Sequence, residues 1–198
     1  MDDLVGSIKI NDVVLGSAPC FIIAEAGVNH NGSVELAKNL VDAARHAGAD
    51  FIKFQTFTAD SHIAPDASCA EYQSRNIGKG QTMLEMVRQL ELPFAAFAEI
   101  KEYCDAHHIS FISTPYDQES VNFLATIDVP FFKIPSGELT NAPLLLHVAR
   151  QGKPMIASTG MAAVDEIERA LGVLAFGLLS PAASNISEGA FTEALASA

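Results

Sequence analysis

Phe51-Ile52-Lys53-Phe54-Gln55-Thr56-Phe57 is the stretch on which the class of fold turns. Aromatic and β-branched residues crowd it, as they do in strands. Successive side chains of a strand point to opposite faces, so Lys53 and Gln55 share one face and Ile52 and Phe54 take the other. Just before it, Leu36, Leu40, Val41 and Ala44 recur at helical spacing behind Ser33, a residue type that caps helices, and Ala47-Gly48 ends the run. Before that helix, residues 21–25 form another apolar run, followed by the polar loop Gly27-Val28-Asn29-His30-Asn31-Gly32. Strand, helix and strand in succession describe a parallel sheet with right-handed crossovers.

The alternation continues towards the C-terminus. Residues 58–80 form a long polar insertion containing Pro65, Gly78 and Gly80, and loops of this length are usually functional or disordered. Helical patterns come next at 83–90 and 94–107, then a strand at 110–114, a helix at 119–127 and a strand at 131–135. A helix at 143–150, with Pro143 suited to its first position, a strand at 154–158 and a helix at 164–176 complete the pattern. On the N-terminal side, residues 7–14 read as a short hairpin turning at Asn11-Asp12. Five strand–helix units fit either an open doubly wound sheet or part of a (β/α)8 barrel, and a length of 198 residues favours the former, because a barrel takes about 250.

Composition narrows the function. Hydrophobic residues make up 49% of the chain, enough for a sizeable core, which excludes intrinsic disorder. The net charge of −12 argues against nucleic acid and anionic membrane surfaces as partners, since both reward clustered positive charge. The opening Met1-Asp2-Asp3-Leu4 lacks the basic-then-apolar layout of a signal peptide. The best apolar stretch, residues 171–179, is interrupted by Gly172 and Gly177 and falls far short of the roughly 20 residues of a membrane span. Cys20, Cys69 and Cys104 form neither a metal-ligand pattern nor a disulfide framework. A cytoplasmic protein is the expectation.

Every strand carries a polar residue at or near its C-terminal end, where parallel α/β folds bind ligands. Lys133 opposes Phe132 and Ile134, Glu25 lies on the Ile23 face, and Thr114 and Ser158 end their strands. A lysine inside a fold needs a partner or an anion. Lys53 and Lys133 therefore form structural ion pairs with Glu25 and Glu138, or they hold an anionic substrate. A phosphate or carboxylate suits Ser136-Gly137 and Ser158-Thr159-Gly160, where small residues let backbone N–H groups approach closely. The Asn29-His30-Asn31-Gly32 loop reads equally as a plain turn or a functional one, and His107-His108 as a complement to a helix dipole. The charged runs 99–102 and 165–169 read as solvated helix faces.

Taken together, these motifs resemble the sialic acid synthase family, whose members make N-acetylneuraminate, legionaminate and pseudaminate. The resemblance is carried by Ile22-Ile23-Ala24-Glu25-Ala26-Gly27-Val28-Asn29-His30-Asn31-Gly32 and Ile52-Lys53-Phe54-Gln55-Thr56-Phe57. Ser113-Thr114-Pro115-Tyr116-Asp117, Lys133-Ile134-Pro135-Ser136-Gly137-Glu138 and Ile156-Ala157-Ser158-Thr159-Gly160-Met161 extend it. It implies a (β/α)8 TIM barrel that condenses phosphoenolpyruvate with an N-acetylated hexosamine and releases phosphate, with manganese or magnesium polarising the sugar aldehyde. By this resemblance Lys53, Thr114, Lys133, Ser136 and Ser158 bind phosphoenolpyruvate, Glu25 and Gln55 face the sugar, and Glu138 activates water.

The resemblance covers the N-terminal hairpin and about five βα units, residues 1–177, and implies a poorly anchored tail at 178–198. It places strands six to eight, the metal-binding histidines and an antifreeze-like domain outside these residues, and implies a homodimer for the full-length family. Without them a non-catalytic anion-binding or association module is the alternative expectation. A related condensation with another aldose, as in 3-deoxyheptulosonate synthases, is a third, against which the Asn29-His30-Asn31-Gly32 loop speaks.

Overall fold

The computed structural model describes residues 9–10, 13–14, 20–64, 67 and 82–198. Strands β1 (Lys9–Ile10) and β2 (Val13–Val14) pair antiparallel, Lys9 opposite Val14 and Ile10 opposite Val13, as the expected hairpin requires. Its turn, Asn11-Asp12, lies outside the described residues. The chain divides into two compact units, one of Ile22–Ile127 and the other of Met1–Phe21 with Asp128–Ala198.

The unit Ile22–Ile127 is built on a three-stranded parallel sheet. Strand β3 (Ile23–Gly27) is followed by helix α1 (Val34–His46) and then strand β4 (Phe51–Thr56). Ser33 caps α1, its Oγ accepting from Leu36 N–H at 3.3 Å, as its position predicts. Beyond β4 come α2 (Ala59–His62), α3 (Met83–Leu90) and α4 (Phe94–Ala106). Strand β5 (Ser110–Pro115) and helix α5 (Gln118–Thr126) close the unit. The sheet order is β3-β4-β5, with Lys53 beside Glu25 on one side and Ile112 on the other. Register partners share a face, so Glu25, Lys53, Gln55, Ile112 and Thr114 line one side of the sheet. The opposite side, with Ile52, Phe54 and Phe111 no more than 2% exposed, meets Ala37 and Val41 of α1 and Phe97 and Ile100 of α4 in the core. Burying each such aromatic side chain contributes about 2–3 kcal/mol.

The insertion expected to be a polar loop begins differently. Phe57, Ala59 and Ile63 bury themselves with Val87 of α3 in a small satellite core, edged by Met83, Leu84, Met86, Leu90 and Tyr116. Thr82 and Glu85 complete a capping box on α3, which fixes where that helix starts. Most of the remaining insertion lies outside the described residues.

The other unit holds a two-stranded parallel sheet of β6 (Phe132–Ile134) and β7 (Met155–Ala157), joined through a 3-10 turn (Ser136–Glu138) and helix α6 (Ala142–Ala149). Helix α6 starts one residue before Pro143 because Asn141 supplies the cap, accepting from Leu144 N–H at 3.2 Å. Helix α7 (Val164–Leu179) comes next, and then α8 (Glu188–Ser197). Among the described residues the strands thus separate into two parallel sheets beside the hairpin; they form neither a continuous five-stranded open sheet nor a closed barrel.

The poorly anchored tail is corrected by this unit. Helix α8 lies against α7, with Phe191 meeting Phe176 edge-on at a ring separation of 5.4 Å and Ala194 buried. Gly172 makes the approach possible, since a Cβ there would stand 2.9 Å from the Phe191 carbonyl oxygen. Arg150 holds the connection between the two helices by donating from Nη2 to the Ala183 carbonyl at 2.7 Å. The sparse apolar content suggested a loose segment, yet one aromatic ring and one glycine suffice to dock it. Among the described residues no helix is long and apolar enough to cross a membrane.

Candidate functional site

In the unit Ile22–Ile127, Glu25, Lys53, Gln55 and Thr114 gather on one face of the sheet, as alternation predicts. Lys53 forms an ion pair with Glu25 across the β3–β4 ladder. The lysine side chain is only 13% exposed and the glutamate 54%, so the pair lies at the edge of solvent. At such exposure it stabilises the fold by at most about 1 kcal/mol, and its main effect is to orient two charges. Gln55 pairs in register with Thr114, whose side chain is buried.

Gly27 shapes this cluster. Its φ is +52°, and a Cβ there would come within 3.4 Å of Glu25 Oε1 and 3.8 Å of Gln55 Nε2. The β3–β4 register slips at this point, Glu25 facing Lys53 but Gly27 facing Phe54. The resulting bulge brings the carboxylate and the amide over one glycine, an arrangement able to bind polar groups of a ligand.

The loop beyond Gly27 folds as consecutive turns, with Asn29 N–H donating to Ala26, Asn31 N–H to Val28 and Ser33 N–H to His30. His30 is fully buried, its ring 6.1 Å from Phe54 and 6.4 Å from Phe97. Burial pushes the imidazole below its ordinary pKa. Gly32 has a φ of +74°, and a Cβ there would stand 2.7 Å from the Gln89 carbonyl oxygen at the end of α3.

The second cluster lies in the other unit. Lys133 Nζ donates to Ser158 Oγ at 2.5 Å and to the Ile134 carbonyl at 2.6 Å. Ser158 N–H in turn donates to Ile134, so the serine is held at the end of β7. Ser136 begins the 3-10 turn, and its Oγ is 3.5 Å from where a Cβ on Gly160 would be. Glu138 ends that turn and accepts from Asn141 Nδ2 at 2.7 Å through Oε2. Hydroxyls, an ammonium and a small-residue loop make a set of donors suited to an oxyanion. Of the two structural ion pairs entertained for the lysines, Lys53–Glu25 is formed.

Some residues escaped the sequence reading. Asp117 accepts from Ser120 N–H at 2.7 Å, from Ser120 Oγ at 2.9 Å and from Thr58 N–H at 2.8 Å. It caps α5 and ties that helix to the loop after β4, beside Thr114 in the chain. The Asp117-Gln118-Glu119-Ser120 run before a helical pattern was the available signal. His107 sits at the end of α4 as expected, its Nδ1 2.8 Å from the Tyr103 carbonyl. Burial pushes the Cys104 thiol up to about 12, so it is an inert core residue. Among the described residues no three His, Cys, Asp or Glu side chains converge as a metal site would require.

The model of the NeuB family matches residues 40–190. The chain is 48% identical over 153 residues to the N,N'-diacetyllegionaminic acid synthase of Campylobacter jejuni, covering 77% of this chain and 46% of that protein. It is 36% identical over 154 residues to the human N-acetylneuraminate-9-phosphate synthase, covering 78% of this chain and 43% of that protein. The chain therefore spans about half the length of the curated relatives it matches, 46% and 44% for two legionaminic acid synthases. Among solved structures, the N-acetylneuraminic acid synthetase of Leptospira borgpetersenii, crystallised with citrate, superposes with a TM-score of 0.73 at 31% identity, over 87% of this chain and 56% of that one. A truncated 3-deoxy-D-arabino-heptulosonate 7-phosphate synthase of Thermotoga maritima superposes with a TM-score of 0.59 at 14% identity, covering 87% of this chain and 53% of that one, a likeness of fold alone.

Proposed function

The chain belongs to the NeuB family, and from that premise we propose that it carries the phosphoenolpyruvate-binding part of a nonulosonic acid synthase with a TIM-barrel fold. Synthases of legionaminic, N-acetylneuraminic and pseudaminic acid are among its relatives, which supports a carbon–carbon bond-forming transferase of carbohydrate biosynthesis. The observation that carries the reading is the donor set of the Lys133 cluster, in which an ammonium, two serines and a small-residue loop suit a phosphate or carboxylate.

In this reading C3 of phosphoenolpyruvate attacks the aldehyde carbon of an open-chain N-acetylated hexosamine. A carbon–carbon bond forms as the aldehyde π pair moves onto its oxygen, which takes up a proton. C2 becomes an oxocarbenium ion, water adds there and loses a proton, and phosphate leaves with cleavage of its bond to C2, leaving a C2 ketone. Lys133, Ser136 and Ser158 bind charged groups of phosphoenolpyruvate within their own unit, and Lys53 and Thr114 have the same assigned role within theirs. Ammonium groups stabilise phosphate charge best where water is excluded, and Lys53 is largely shielded from solvent. Glu25 and Gln55 face the sugar, with Glu25 oriented by its ion pair. Glu138 takes a proton from the attacking water at Oε1, while Asn141 fixes Oε2.

The family resemblance brings a divalent metal, manganese or magnesium, to polarise the aldehyde. The described residues do not fit it by themselves, since no three metal-ligating side chains come together among them. A second reading is an anion-binding module that does not turn over, favoured by the Lys133 cluster, whose donors hold an anion without further groups. A phosphate-release assay with phosphoenolpyruvate, manganese and N-acetylmannosamine or a diacetylated bacterial hexosamine separates them. Phosphate released only with both substrates supports the synthase. Saturable phosphoenolpyruvate binding without release supports the module. Absence of binding sinks both.

A further inference from the structure

His30 combines three features that a loop histidine rarely shares. Its ring is fully buried, its Nδ1 accepts from Gly32 N–H at 3.1 Å, and its Nε2 is buried without a hydrogen-bond partner. Because Nδ1 accepts, the proton of the neutral ring resides on Nε2. A buried N–H without an acceptor costs on the order of 1–3 kcal/mol, so packing alone would favour an apolar residue of similar size. The bond at Nδ1 offers the reason for an imidazole. Gly32, which it holds, is the point at which the loop presses against the end of α3. The ring also rests on Phe54, which lies between Lys53 and Gln55 on β4 and opposite Gly27 in the ladder. His30 thus stands behind the strand whose front carries the Glu25–Lys53–Gln55 cluster, and fixes the loop that leaves β3 two residues after Glu25.

We propose that His30 is a positioning residue: its neutral imidazole, locked by Gly32 N–H and seated on Phe54, holds the β3–α1 loop so that Glu25 and Gln55 stay aligned over Gly27. The role serves the site proposed above and rests on that reading.

Two substitutions separate positioning from filling. His30→Asn keeps an acceptor near the place of Nδ1 but leaves space behind it; His30→Leu fills the space and removes the acceptor. The measurements are hydrogen exchange of the Gly32 amide, proton exchange of the Lys53 ammonium that Glu25 retains, and calorimetric affinity for phosphoenolpyruvate. Nitrogen-15 shifts of the imidazole report the tautomer in the unsubstituted chain. The expected result is an unprotonated Nδ1, with His30→Asn protecting Gly32 and keeping Lys53 exchange and affinity within about threefold. His30→Leu is expected to lose Gly32 protection and to weaken phosphoenolpyruvate binding by roughly tenfold or more, because a displaced Glu25 no longer holds Lys53, the group assigned to that ligand, in place. Normal Lys53 exchange and affinity in His30→Leu, equal losses in both variants, or a protonated Nδ1 would each overturn the proposal. Should His30→Leu fail to fold, the tautomer and the behaviour of His30→Asn decide. If the unsubstituted chain binds no phosphoenolpyruvate, the functional reading fails separately, while the Gly32 and Lys53 exchange rates still judge His30.

Discussion

The two lysine clusters are assembled by different means. Around Lys53 the polar groups stand on strands: Glu25, Lys53, Gln55 and Thr114 share one face of a three-stranded ladder, and the ammonium meets a carboxylate. Around Lys133 the polar groups stand mostly on turns beyond the strand ends, Ser136 in a 3-10 turn and Ser158 just past β7, and the ammonium reaches a hydroxyl and a carbonyl. A ladder fixes side-chain direction through many backbone bonds, so the first cluster is suited to orienting a ligand. Loop ends expose backbone N–H groups, so the second is suited to receiving an anion. Each unit thus carries one of these two capacities.

Removing each lysine tests that division most severely. Under the proposed synthase reading, Lys133→Met and Lys53→Met should each reduce phosphate release by about 100-fold or more, the effect of losing a group that stabilises charge in a shielded site. Lys133→Met should also weaken phosphoenolpyruvate binding more than Lys53→Met, measured by calorimetry; the reverse order would contradict an anion-receiving role for the Lys133 cluster. Next in size is Gly32→Ala. A positive φ and a Cβ 2.7 Å from the Gln89 carbonyl leave it no room, and a loss of about 3 kcal/mol is expected in urea unfolding. The helix caps beside each cluster come next. Asp117→Ala removes three hydrogen bonds near the first and should cost about 2–3 kcal/mol. Asn141→Ala, near the second, removes a cap bond and the Glu138 contact and should cost about 1 kcal/mol by the same measurement.

The smallest effect is that of pH. Each unit contains a histidine whose pKa burial lowers from 6.5, His30 in one and His147 in the other, the latter also beside Arg150. As pH falls through about 6.5 the unfolded chain takes up protons that the native state refuses, so unfolding becomes easier. Stability should decline from pH 7 towards pH 5 in thermal melts, and His30→Asn should flatten part of that slope. An unchanged slope would remove His30 from the account.

The first cluster was legible in the sequence because it rests on period two. Lys53 and Gln55 could be assigned one face by counting, and parallel register brought Glu25 and Thr114 to the same face. The second was legible only through its residue types, since turns after β6 and β7 have no period. The burial of His30 was not legible, because it depends on Phe97, a residue distant in the chain. Docking of α8 was missed for a similar reason: Gly172 read as an interruption of an apolar run, whereas its bare backbone receives Phe191. The separation of the strands into two sheets likewise depends on pairing between distant segments, which no local pattern carries.

The slipped register between Glu25 and Gly27 has a consequence for counting itself. Two residues of β3 advance while β4 advances one, so an odd number of positions changes partners without changing sides. A relative lacking one residue here would run in phase with its neighbour, and no bulge would follow its carboxylate. A single-residue gap placed at Ala26 in an alignment would therefore mark a different geometry, even where every other letter agreed.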